Sequence, residues 1–123
     1  MRWAPEQQPS LYAAAYGLYN QGDYQQSASL FTELVLSDAL EVRHWSGLAA
    51  AQQMQSHFKE ALHAWSIVAL LAEEDPWPHF HAAECLLSLG EKEEGLKALD
   101  SALKKTQDDE LLYSKIEGLK HYA

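Results

Sequence analysis

Gln21-Gly22-Asp23-Tyr24 reads as a turn, and the chain returns to it twice, as Gln55-Ser56-His57-Phe58 and as Leu89-Gly90-Glu91-Lys92. Gly22, Ser56 and Gly90 follow one another at a constant step of 34 residues. Self-similarity at such a period marks stacked supersecondary units, each unable to bury its apolar face alone. Positions on either side keep the register. Leu11, Trp45 and His79 align, as do Ala14, Leu48 and Ala82, and Ala15, Ala49 and Ala83. Beyond the turn, Ser27, Ala61 and Gly95 align, followed by Phe31, Trp65 and Leu99. The small residues at 15, 49, 83 and at 27, 61, 95 let two helices cross closely. The larger ones at 31, 65 and 99 fill the space between repeats.

The period and these positions resemble the tetratricopeptide repeat, whose pattern W-x2-L-G then A-x3-F is matched best by Trp45, Leu48, Ala49, Ala61 and Trp65. The match is imperfect. Ala39 and Glu73 stand where proline is usual, His79 stands for Trp, and Lys92 stands for Tyr. The expected fold is all-α, a single domain over residues 1–123. Three tandem helix-turn-helix repeats (about 8–41, 42–75 and 76–109) form a right-handed superhelix with a concave groove. The pattern predicts helices at about 9–21, 24–37, 41–55, 58–71, 77–89 and 92–105. A capping helix at about 108–121 follows, with Asp108, Asp109 and Glu110 at its positive end and Leu111, Leu112, Ile116 and Leu119 along one side.

Composition narrows the function. The chain has 123 residues, 47% of them hydrophobic, enough for one folded core. Its 18 acidic residues against 9 basic ones leave a net charge of −9, with no basic stripe. Nucleic acid and anionic membranes are therefore not expected partners. The single Cys85 excludes an internal disulfide and fits a reducing compartment. The N-terminal MRWAPEQQPS lacks the apolar stretch of a signal peptide, and no apolar run approaches the ~20 residues of a membrane helix.

A binding surface is sought among apolar residues that the core does not need. Placed at ~100° per residue, Leu11, Ala14, Ala15 and Leu18 fall on one side of the first helix. Tyr12, Tyr16 and Tyr19 fall on another, roughly 110° away. The corresponding stripe on the third helix is Arg43, Ser46, Ala50 and Gln53, with Met54 beside it. On the fifth helix it is Trp77, Phe80, Glu84 and Leu87. Two aromatic ridges around a small or polar middle predict a trough with walls ~20 Å apart, from helix spacings of ~8–10 Å. At ~3.3 Å per residue the trough spans about six residues of extended peptide. The competing reading packs the tyrosines against a helix or a second subunit. Tyr24, at the consensus turn position, is assigned to the core.

Pro78-His79-Phe80-His81-Ala82-Ala83-Glu84-Cys85-Leu86-Leu87 resembles a stretch of the class II chaperones of type III secretion systems, the tetratricopeptide chaperones of translocator proteins. Leu11-Tyr12, Tyr19, Gly22, Tyr24, Arg43, Gly47-Leu48 and Ala61 extend the likeness over roughly residues 9–105. The resemblance implies a non-enzymatic chaperone in the cytoplasm of a Gram-negative bacterium. Such a chaperone keeps a hydrophobic translocator soluble by holding a short P-x-L-x-x-P segment in the groove. It also implies groove roles for Tyr12, Tyr16 and Tyr19, and for Phe80 with its neighbours on the other wall. Family members usually begin with a further dimerisation helix. With the first repeat starting at about residue 9, that helix is expected to be absent and a homodimer is left open.

Other chemistries find little support. His79, His81, Glu84 and Cys85 lie close in sequence, but zinc needs about four converging ligands, and His79 and His81 point ~200° apart on a helix. No metal or cofactor is expected. No nucleophile elbow or phosphate loop occurs, so no catalytic residue is assigned. The rival to a chaperone is a tetratricopeptide adaptor that receives a folded helix of a partner.

Overall fold

The three turns close in the same way. The computed structural model describes residues 2–106 and 108–123. In the first turn the Asp23 amide donates to the Leu18 carbonyl at 2.9 Å and the Gly22 amide to Tyr19 at 3.0 Å. The second pairs His57 with Gln52 and Ser56 with Gln53; the third pairs Glu91 with Leu86 and Gly90 with Leu87. This double bond satisfies carbonyls left open at a helix C-terminus and needs one residue in the left-handed region. Gly22 (φ 83°) and Gly90 (φ 81°) supply it without strain, while Ser56 (φ 62°) adopts it with a side chain.

The described residues form seven α-helices: α1 Gln8–Asn20, α2 Tyr24–Ser37, α3 Val42–Met54, α4 Phe58–Leu71, α5 Trp77–Ser88, α6 Lys92–Lys105 and α7 Glu110–Tyr122. The fold is all-α and built of helix-turn-helix repeats, as the period implied. α2, α4 and α6 have the expected bounds. Proline opens α1 and α5, where the missing N–H costs nothing. Asp23 caps α2 by accepting from the Gln26 amide, and Asp109 caps α7 by accepting from Leu112 at 3.0 Å. That cap starts the last helix at Glu110, later than expected from the acidic run.

Each helix packs on the next in sequence, and α1 also meets α3 and α5 meets α7. The crossing within the first repeat is close because Ala15 and Ser27 are small and buried. Ser27 Oγ donates to the Ala15 carbonyl at 2.8 Å, so its hydroxyl is buried without penalty. Ala49 with Ala61, and Ala83 with Gly95, occupy the same places in the later repeats, and all four are buried. Phe31, Trp65 and Leu99 are buried between successive units. Ala14 departs from expectation: it is exposed, on a side of α1 that neither α2 nor α3 covers.

Candidate functional site

The tyrosine stripe of α1 stays open. Tyr12 and Tyr19 are half-buried and Tyr16 is 52% exposed. They line a hollow of about 280 Å³ together with Arg43, Ser46 and Ala50 of α3. Six residues selected by helical spacing are thereby brought to one place.

Phe31, Gly47 and Trp65 complete the lining, and their role at the surface was not anticipated. Phe31 reaches from α2 between α1 and α3. A Cβ at position 47 would overlap its ring, so the missing side chain of Gly47 is what lets the ring lie there. The pairing of a glycine on one helix with a large ring on the helix before it was the available signal.

The floor and walls are held by aromatic contacts. Tyr12 stands edge-on to Phe31, with centroids 5.8 Å apart, and is stacked near Tyr16 at 6.2 Å. The Arg43 guanidinium lies 5.1 Å from the Tyr12 ring centre, a cation–π distance. Glu41 accepts from Arg43 at 2.9 Å, which fixes the guanidinium and holds the Glu41 carboxyl below its ordinary range. Tyr19 stands edge-on to Tyr24 at 5.1 Å. Burial, with the two neighbouring tyrosines, raises its pKa, so its hydroxyl remains a hydrogen-bond donor. Tyr24 is half-buried and serves as backing for Tyr19.

The expected far wall is different. Phe80 is only 5% exposed and packs with Leu99, Leu112 and Ile116; Trp77 and Leu87 lie against the same cluster. The expectation that Phe80 forms an open wall is corrected by this burial. α7 packs on α5 and covers Phe80, while Trp77 and Leu87 are half-buried. Met54, 51% exposed at the end of α3, stands outside the hollow.

Glu84 remains accessible and joins a polar chain beyond the hollow. Trp65 Nε1 donates to Gln53 Oε1 at 2.8 Å, and Gln53 Nε2 donates to Glu84 Oε1 at 3.1 Å. His81 Nδ1 lies 2.7 Å from the same oxygen, and its ring stacks on Trp65 with centroids 4.6 Å apart. Burial works to raise the Glu84 pKa, but the bonds from His81 and Gln53 outweigh it and the net shift is downward. Cys85 is fully buried, and burial with the Glu84 charge pushes its thiol up to about 12. Among the described residues no three metal-binding side chains converge, and no helix is long and apolar enough to cross a membrane.

A family model of the tetratricopeptide repeat matches residues 44–75. Low calcium response locus protein H of Yersinia pestis is 35% identical over 89 residues, 72% of this chain and 53% of that protein. The chain thus spans about half the length of this curated relative. The structure of PcrH in complex with the chaperone binding region of PopD matches with TM-score 0.90 and 26% identity, covering 99% of this chain and 95% of that one. PcrH is a protein of Pseudomonas aeruginosa. The Yersinia enterocolitica type III secretion chaperone SycD, in complex with a peptide of the translocator YopD, matches with TM-score 0.87 and 28% identity, covering 97% and 96%.

Proposed function

Because this chain belongs to the class II, tetratricopeptide-containing chaperones of type III secretion translocators, we propose that it keeps a hydrophobic translocator soluble by holding a short apolar segment in its hollow. The setting is the cytoplasm of a Gram-negative bacterium, before export. Residues 1–123 act as one repeat domain, and the chemistry is binding alone.

The observation that carries this reading is the open tyrosine stripe facing Arg43, Ser46 and Ala50. Rings standing half out of the surface have apolar area left to bury, and their hydroxyls bond peptide groups. A hollow near the ~300 Å³ lower end of ligand pockets takes one or two side chains of an extended chain, not a large ligand. Tyr12, Tyr16, Tyr19, Arg43, Ser46 and Ala50 are the contact residues. Phe80 supports α7 instead.

The probe is a synthetic peptide of about ten residues with a Pro-x-Leu-x-x-Pro core, read by titration calorimetry. Losing a ring that buries apolar surface at ~25 cal/mol per Å² gives Tyr16→Ala or Tyr19→Ala a loss of at least ~1 kcal/mol. The melting transition should survive in both. Unchanged affinity in the two variants refutes the reading. Failure of every such peptide, with capture of a folded helical partner, would identify an adaptor instead.

A further inference from the structure

Trp65, Gln53, His81 and Glu84 form a closed arrangement that the hollow meets only through Trp65. His81 occupies on α5 the register that Gly47 occupies on α3. Where Gly47 leaves room for the Phe31 ring, His81 lies flat on the Trp65 ring. Glu84 occupies the register of Ala50, which lines the hollow. Trp65 belongs both to the hollow and to this cluster, so the two surfaces are continuous.

Glu84 Oε1 takes both bonds of the cluster. Among the described residues no hydrogen bond reaches Oε2, and the side chain is 34% exposed. Lys115 of α7 is near enough for its charge to act on Glu84, and among the described residues the ion pair recorded for Glu84 is with His81. A fixed carboxylate thus sits beside a Trp–His stack with one oxygen free, in a chain of net charge −9.

We propose that Glu84, beside the Trp65–His81 stack, is a subsite for a lysine or arginine of the same extended peptide that fills the tyrosine hollow. The carboxylate offers charge and, at its open oxygen, a charge-assisted hydrogen bond. Gln53 and His81 fix the carboxylate's orientation in advance, which lowers the cost of ordering it on binding. Arg43 and Gln53 are ten positions apart on α3. That separates the two ends by ~15 Å, or about five extended residues. The ligand therefore carries its basic residue about five positions from the one that meets Tyr12 and Arg43. The opposite charges of Arg43 and Glu84 set the direction in which the peptide lies.

This inference rests on the peptide reading above, and its test separates the two. The same Pro-x-Leu-x-x-Pro peptide is scanned with lysine, norleucine and glutamate, one position at a time, and binding is followed by fluorescence anisotropy. At one position lysine should bind about fivefold tighter than norleucine, the upper size expected of an exposed charge pair. Glutamate should bind more weakly there. In Glu84→Gln the lysine advantage, read as the ratio of the lysine and norleucine affinities for that variant, should fall within about twofold. Should that variant fold poorly, the loss of the lysine advantage at high salt on the native chain carries the test. A flat scan with peptides still bound overturns the basic subsite alone. An advantage that persists in folded Glu84→Gln overturns the assignment to Glu84. Loss of all peptide binding overturns both readings.

Discussion

Replacing Gly47 with alanine puts a methyl group into space that the Phe31 ring already fills. The backbone there is helical, so the substitution itself favours the helix by ~1 kcal/mol. Phe31 cannot yield easily: it is 1% exposed and packs in the first core cluster with Leu11, Leu34 and Leu48. Overpacking of this kind costs ~1–3 kcal/mol, and an overlap with a buried ring belongs in the upper half of that range. The net effect is destabilisation by ~1–2 kcal/mol. For a chain of this length that lowers Tm by ~4–8 °C. Gly118→Ala is the control, because Gly118 lies in α7 with no neighbour in the way of a Cβ. It should raise stability by up to ~1 kcal/mol. The two substitutions are chemically identical, so an opposite sign isolates the ring contact. Peptide affinity gives a second readout, since Phe31 and Gly47 line the hollow and Tyr12 rests on Phe31. Thermal melts of both variants, with calorimetry on Gly47→Ala, decide the matter. If Gly47→Ala melts as high as Gly118→Ala, the ring is not held where this reasoning puts it.

Two further outcomes follow from local geometry. Ser56→Gly removes the Cβ from a left-handed position and should stabilise the chain by ~1 kcal/mol in urea unfolding; an unchanged midpoint would show that the second turn carries no strain. Cys85 should resist an aromatic disulfide reagent at pH 8 in the folded chain and react once urea unfolds it. The folded thiol holds its proton above the value of the free thiol. Stability from this group is therefore complete below about pH 9 and is lost as pH rises toward about 12. Rapid labelling of the native protein at pH 8 would contradict the burial of Cys85.

The resemblance read from His79-Phe80-His81-Ala82-Ala83-Glu84-Cys85 led to the right family. Phe80 itself shows the limit of such reading. Helical spacing assigned it to a stripe, but whether that stripe stays open depends on α7, which arrives from some thirty residues further on. Glu84 lies on the same stripe and remains accessible. The spacing that grouped them could not tell them apart.

The sequence by itself determined the helices, their turns and the identity of the tyrosine stripe. Those follow from local rules: a left-handed residue every 34 positions, prolines at helix starts, and one angle per residue along a helix. Only the tertiary structure decided which stripes face solvent, that Gly47 makes room for Phe31, and that His81 lies on Trp65. Those contacts join residues on different helices, and their geometry is fixed by how the helices pack, which no single helix's pattern records.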